Sequence, residues 1–542
     1  MKRSIFLSTT LLLLTAACTN DTVQNDGQQN PEPSTEGLTA FVIKDTRPAT
    51  KATATRTTAQ YDGDGLSFYW TSNDRLWVNK ATTGEPDLVQ DKRNNIEKKL
   101  KNSPILGGVQ RAAKASFWFV GNFTANEYKV RYTGQNGTKD KVTIAPTQAQ
   151  TMANDASHIA ISGDCGTATA KKMDDGSFAF MLDHQASYAT FMPYTSQSVI
   201  AAAKIKKIRV SCRDKALCGE FKFTDAGIDT LSRPSATDAN RQIELTLSNF
   251  PLPSSPTASE NAATIVIAPG TYPHFSIEYT LYDAATGVTG TITKTYASVT
   301  FTAGKNKAVR HNLQVSDYSS LYYTWDAIKH YWYGYESFQP FDVNDKSGEG
   351  KEPRNKQTDS LRWFNDVEGY NGVDPLQVAT RSAADCPNVN KALWYTAKGN
   401  PHADNELWSM ANHLYCGRIW FKRQSIIAQE HGKTISDLDL AAPDGTDYTH
   451  DITSTWPLSL IRNENIIQHT PDTLGNYFCL PLGGEYYSHR FISYNIEGNY
   501  WTSTPCPNSI VLSYHLWLTR AAVGVVRYYE VRSHGYRLWK AQ

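Results

Sequence analysis

The chain opens with a basic pair, Lys2 and Arg3, followed by a mostly apolar run over residues 5–14. A helix needs about 20 residues to cross roughly 30 Å of hydrocarbon, so this run is too short to span a bilayer. It ends at Thr15, Ala16, Ala17 and Cys18. A basic start, a short apolar core and small residues before a cut make up a secretory signal. Residues 19–37 hold Asn, Asp, Gln, Pro and Gly and almost nothing to bury, which reads as a flexible tether. Beyond the tether, short apolar runs alternate with turn residues. Ile243, Leu245 and Leu247 are interleaved with Glu244 and Thr246, the period of a half-buried strand. Runs over residues 116–120, 205–210, 264–268 and 275–281 repeat this length, and another over 290–301 meets Gly304 and resumes to Leu313. Strands at such spacing, with Gly, Pro and Asn between them, predict antiparallel sandwiches across residues 38–315.

The texture changes after the polar step at residues 315–320. Only Trp70, Trp77 and Trp118 of the 13 tryptophans precede it, so a domain boundary is placed there and a second domain over 321–542. In that domain Ile510, Leu512, Tyr514, Leu516 and Leu518 alternate with a mixed set, which predicts a strand, with residues 525–532 as its antiparallel partner. The residues between Trp408 and Gly417 are expected to form one short helix.

Charge narrows the function. With 54 basic and 53 acidic residues the net charge is +1, which gives no electrostatic footprint for nucleic acid. Of eight cysteines, Cys212 with Cys218 and Cys479 with Cys506 are spaced to close loops; isolated buried thiols are the alternative. No Cys/His cluster has zinc spacing, and no HExxH, GxSxG or phosphate-loop motif is present. His413 and Cys416 are three residues apart, a pairing more often packing than nucleophile. Trp363, Phe364, Asn365 and Asp366 lack the companion residues of a calcium cage. No enzyme activity, metal or cofactor is expected. Tyr331, Trp332 and Tyr333, Tyr486 and Tyr487, and Tyr500 and Trp501 are paired or clustered rings on which a sugar face could stack, with core packing as the alternative. Trp501, placed in a Tyr-Trp-Thr-Ser-Thr turn, is the first candidate contact, joined by Tyr500 and Tyr486.

Three resemblances add to this reading. The Ala16-Ala17-Cys18 step resembles the lipobox of bacterial lipoproteins, with Thr15 where that family usually has Leu. The resemblance implies cleavage between Ala17 and Cys18 and a lipid, palmitate included, on the Cys18 thiol. A threonine-rich stretch over residues 51–58 precedes Leu66-Ser67-Phe68-Tyr69-Trp70 and Asp74-Arg75-Leu76-Trp77-Val78, and Thr300-Phe301-Thr302-Ala303-Gly304-Lys305 closes the half. This order resembles the fimbrillin (Mfa-like) lipoproteins of Bacteroidales over residues 38–315. It implies two β-sandwich lobes and, in pilus-forming members, a protease cut after an N-terminal arginine. The cut frees a groove that another subunit's strand fills. By position Arg56 is the candidate, with Arg47 second. Finally, Leu480-Pro481-Leu482-Gly483-Gly484, Tyr500-Trp501-Thr502-Ser503-Thr504 and Gly535-Tyr536-Arg537-Leu538 resemble the Fibrobacter succinogenes major paralogous domain. That family has a C-type-lectin-like α+β fold; its closing Val-Arg-Cys is here Leu538-Trp539-Lys540.

The expected protein is thus mainly β. It runs from a signal over 1–17 and a tether over 18–37, through fimbrillin-like lobes over 38–315, to a lectin-like domain over 321–542. The expected role is a lipid-anchored, surface-exposed fimbrial or adhesin-type protein of the outer membrane, with other fimbrial subunits, a glycan or a host protein as partners. A monomeric glycan-binding lipoprotein of a nutrient-uptake system is the alternative, and an enzyme of sulfatase-modifying type the third reading.

Overall fold

The computed structural model describes residues 35–43, 58–63, 65–103, 105–106, 109–452, 459–526 and 531–542. The fold is mainly β, as the alternation predicts. In the first lobe one sheet runs Leu88–Gln90, Trp77–Asn79, Glu127–Tyr132, Gly166–Lys172, Phe178–Phe180, Leu38–Ile43, Ser116–Val120, Arg93–Asn94. Phe117 and Phe119 turn inward from their strand while Trp118 and Val120 do not, because successive strand side chains face opposite sides. They meet Phe41, Trp70, Val130 and Phe178 in one core.

The second lobe is a sandwich. Its larger sheet runs Thr147–Gln150, Gln242–Pro251, Lys204–Cys212, Gly270–Tyr282, Thr289–Phe301, and its smaller one Ala263–Ile267, Ser187–Phe191, Asn306–Val309. Ile208, Val210, Ile243, Leu245 and Ile277 from the first share a core with Tyr188, Phe191, Ile265 and Ile267 from the second. Two buried glutamines cover the free side of Ala263–Ile267. Gln148 accepts from the Val266 amide (3.0 Å) and donates to the Val266 carbonyl (2.8 Å). Gln150 accepts from Thr264 (2.9 Å) and donates to Ala262 (2.8 Å). Side-chain amides thus replace a neighbouring strand, which keeps buried backbone groups paired. The two lobes are tied by Arg131, an interior residue of the first, whose guanidinium lies 2.5 Å from Asp225 of the second.

The C-terminal region carries a four-stranded sheet, Ser316–Asp317, His402–Met410, His413–Lys422, Tyr477–Pro481. A six-stranded sheet runs Ser459–Asn463, Val523–Val526, Ser513–Thr519, Glu497–Pro505, Gly483–Tyr487, Arg490–Tyr494. The expected strand near residue 510 is Ser513–Thr519, and Val523–Val526 is its antiparallel partner. The expected helix between Trp408 and Gly417 is instead a hairpin: Met410 faces His413, and Ala411 and Asn412 turn the chain at φ 50° and 66°. Two successive positive φ values give the turn that matches strand twist. The helix lies earlier, at Val389–Lys398, where the Asn388 side chain accepts from the Lys391 amide at 2.9 Å and caps its free N–H groups.

The step at 315–320 is not a free linker. Ser316 and Asp317 pair in parallel with Trp408 and Ser409, and the Tyr318 amide donates to the Ser409 carbonyl at 2.9 Å. Leu407 and Leu414 belong to the core of the second lobe. Asp283, at the end of a second-lobe strand, accepts from the Leu414 amide (2.8 Å) and from His413 (3.3 Å). Burial alone would raise its pKa, but His413 and the Leu414 and Ala285 amides outweigh burial and hold the carboxyl below its ordinary value. Limited proteolysis is therefore expected to spare residues 316–320 in the native chain. Asp283→Ala leaves the Leu414 N–H unpaired, a loss of about 1–3 kcal/mol, and should make that step cleavable. Equal resistance in both proteins would show that Asp283 does not hold the junction.

Candidate functional site

The N-terminal strand Leu38–Ile43 lies inside the first sheet, not at its edge. It pairs in parallel with Phe178–Phe180, Phe41 facing Phe178. On its other side it runs antiparallel to Ser116–Val120, from Leu38 facing Val120 to Val42 facing Ser116. Phe41 is fully buried, stacked on Phe178 at 4.8 Å between ring centres, with Phe119 at 4.9 Å and Phe123 at 5.2 Å edge-on. Such offset and edge contacts add to the area a phenyl ring buries.

After residues 44–57, the chain resumes in the hairpin Thr58–Tyr61 and Leu66–Tyr69. That hairpin belongs elsewhere: Ala59, Tyr61, Leu66 and Phe68 pack into the core of the second lobe, and Arg310 donates to the Tyr61 hydroxyl at 2.8 Å. The strand is thus fixed in one lobe and the hairpin in the other. Arg47 and Arg56 both fall in the stretch between them and lie outside the described residues, as do Ala17 and Cys18.

The candidate sugar contacts are corrected by the structure. Trp501 is 0% exposed, Tyr486 0% and Tyr500 1%. Trp501 is not in a turn but within the strand Glu497–Pro505, opposite His515. Its indole N–H donates to the Tyr323 carbonyl at 2.7 Å and its ring lies 4.4 Å from that of Tyr536. Tyr486 donates to the Pro340 carbonyl and Tyr500 to that of Pro481, both at 2.6 Å. Trp501 and Tyr486 thus fasten the strand-poor stretch after residue 318 to the sheet beneath, while Tyr500 ties that sheet to the strand Tyr477–Pro481. Burial pulls the neighbouring His515 down to a pKa of about 3, a neutral imidazole within the same core. In the Tyr331-Trp332-Tyr333 cluster only Tyr333 is exposed, and so is Tyr487.

Other sequence candidates scatter. His413 serves the lobe junction, stacked by Phe341 at 4.1 Å, while Cys416 accepts from Arg520 at 3.7 Å. Asp366 pairs with Lys356 at 2.7 Å. Cys212, Cys218, Cys479 and Cys506 are in no disulfide, so neither suggested bridge forms. Cys212 donates to the Pro273 carbonyl at 3.0 Å, and Cys479 lies 3.3 Å from the Tyr318 hydroxyl. Among the described residues no three His, Cys, Asp or Glu side chains are grouped to hold a metal.

What sequence reasoning missed is a cleft of about 460 Å³ beside Tyr500. Tyr500, Arg537 and Trp539 are among its buried residues, and Ser319, Asp385 and Lys540 are exposed along it. Burial pulls the Arg537 pKa down, yet the Tyr322 and Tyr500 hydroxyls outweigh it and hold the group above its ordinary value. At the mouth Lys540 lies 2.9 Å from Asp385, and that pairing lowers the carboxyl pKa of Asp385.

No family model matches the chain, and no curated protein matches it. Among solved structures it is similar to a candidate cell adhesion protein from Bacteroides ovatus, at 14% identity over 51% of this chain and 91% of that one, with a TM-score of 0.29. The fimbrial anchor protein Mfa2 from Porphyromonas gingivalis matches at 13% over 48% and 83%, TM-score 0.19. A fimbrial protein from Bacteroides ovatus matches at 9% over 92% and 98%, TM-score 0.22. These scores are low, and the fold assignment rests on the strand pairing described above.

The position of Trp501 sets an expectation. Trp501→Ala should cost about 3–5 kcal/mol of unfolding free energy, read by denaturant titration. A change that left stability intact would mean that the ring is contact surface after all.

Proposed function

We propose that the chain is a fimbrial or adhesin-type surface protein whose first lobe exchanges its own N-terminal strand for a strand from another subunit. The observation that supports this reading is the placement of Leu38–Ile43 between two strands distant in sequence. Residues 44–57, which contain Arg47 and Arg56, link it to the hairpin in the second lobe. A cut after either arginine leaves the hairpin anchored in the second lobe. The strand is then held by hydrogen bonds and the packing of Phe41 and Ile43, so a competing strand with a matching pattern can replace it. A lipid on Cys18 would tether the uncut chain to the outer membrane. The C-terminal region, read as C-type-lectin-like from its sequence resemblance, would act as a binding head without catalysis. A monomeric glycan-binding role is the second reading, and the cleft beside Tyr500 is the feature that favours it.

The test is strand capture. The full chain is cut with an arginine-specific protease and challenged with a labelled peptide carrying the sequence of residues 36–45. The cut protein should take up the peptide, and the uncut protein should not. Phe41→Ala in the peptide removes the buried ring, worth about 3–5 kcal/mol, and should weaken capture at least a hundredfold. Arg56→Ala combined with Arg47→Ala should block both cutting and capture. Equal uptake by cut and uncut chains, or none by the cut chain, would contradict the reading.

A further inference from the structure

The cleft beside Tyr500 contains a cation that the protein leaves without an acid. Arg537 is only 5% exposed. It donates to the Tyr322 hydroxyl (3.1 Å), the Met410 sulfur (3.4 Å) and the Ser319 carbonyl (2.5 Å), all neutral groups. The Tyr322 and Tyr318 rings lie 5.1 and 5.9 Å from the guanidinium. Removing a charge from water is costly unless it is paired and fully hydrogen-bonded.

The same region meets that requirement elsewhere in two ways. Arg362 and Arg418 have carboxylates, Asp359 and Asp404. Arg532 has no carboxylate but donates to the carbonyls of Asn365, Val367, Ser509, Ile510 and Leu512 and to the Ser513 hydroxyl. Its guanidinium lies 4.2 Å from the Trp325 ring. Arg537 has neither solution: no carboxylate among the described residues is in ion-pair contact with it, and its three acceptors are half the number Arg532 has. It also borders open space where Arg532 is enclosed. A further polar atom along the cleft is unused, for the Ser382 hydroxyl is buried without a hydrogen-bond partner.

We propose that this cleft binds an acidic sugar residue, its carboxylate on the Arg537 guanidinium and its ring face on the apolar wall. The planar fork of a guanidinium matches a carboxylate. Tyr318, Leu480 and Leu538, each partly exposed, supply the apolar wall, against which the C–H face of a pyranose packs. The volume falls in the range of small-molecule sites. This inference rests on the reading of the C-terminal region as a binding head; it does not depend on strand exchange.

The experiment titrates the full chain with glucuronate, glucose and acetate, followed by calorimetry or ligand-observed NMR. Glucuronate should bind saturably and at least tenfold more tightly than either glucose or acetate. Arg537→Gln should weaken glucuronate at least tenfold and leave glucose unchanged. Arg537 also ties Ser319 and Tyr322, so a second variant guards against a folding defect. Ser319→Trp, at a position exposed along the cleft, fills its mouth, keeps the backbone carbonyl that the guanidinium bonds, and should abolish glucuronate binding with the melting temperature retained. The proposal is overturned if glucuronate does not saturate, if glucose or acetate matches it, or if a folded variant binds it like the native chain. Strand capture without glucuronate binding would overturn this inference alone and leave the fimbrial reading standing.

Discussion

The first lobe depends on one insertion: Leu38–Ile43 fills the space between Phe178–Phe180 and Ser116–Val120 and supplies Phe41 to the middle of the core. Without it, two strands would each expose a row of backbone N–H and C=O groups, which water or another strand must then satisfy. The aromatic box of Phe119, Phe123, Tyr128 and Phe178 would also lose the ring that each of them touches. A strand bound on both sides, and linked through residues 44–57 to a hairpin packed in the other lobe, is what the proposed exchange acts on. That combination links the packing of this lobe to the assembly role proposed for it.

The C-terminal region is built on a different economy. It has a long stretch between residues 318 and 388 with few regular elements, and buried charges organise it. Asp326, fully buried, accepts from the backbone amides of Thr380, Arg381 and Ala383 and from Asn365. Arg532 does the converse for carbonyls. Each charge gathers loop backbone that has no sheet to pair with, and so satisfies groups that would otherwise be orphaned. Tryptophan and tyrosine do the rest through a buried ring and a polar tip bonded to a carbonyl, as at Trp325, whose N–H donates to Thr502 at 2.9 Å. Against this pattern Arg537 stands out, because its set of acceptors is incomplete and it faces a cleft.

Sequence legibility followed burial geometry. Lys204–Cys212 and Gln242–Pro251 each bury one face, so their apolar residues alternate and the strands were readable. Glu497–Pro505 is buried on both faces from Gly498 onward. Its Thr502, Ser503 and Thr504 therefore carry no outward face to signal a strand, and they looked like a turn. Their polarity is absorbed locally, the Thr502 hydroxyl donating to the Tyr514 carbonyl at 2.7 Å. That is why Trp501 was misplaced. The hairpin at Ala411 and Asn412 lacks a glycine and so lacks the usual turn signal. The helix Val389–Lys398 counts Asn390, Lys391 and Thr396 among its eight buried residues, so its buried face does not read as apolar. The cleft was invisible for a further reason: an arginine without an acid is a property of tertiary neighbours, not of the Gly-Tyr-Arg-Leu sequence around it.

The central claim is that the N-terminal strand can leave a slot without dismantling its lobe. Hydrogen exchange on the arginine-cut chain, after the released segment has been removed, tests this most directly. The account predicts that amides in Ser116–Val120 and Phe178–Phe180 lose protection and regain it when a strand peptide is added. Lys204–Cys212 in the second lobe should stay protected throughout. Loss of protection across Glu127–Tyr132 and Gly166–Lys172 as well, or no change in the flanking strands, would contradict it.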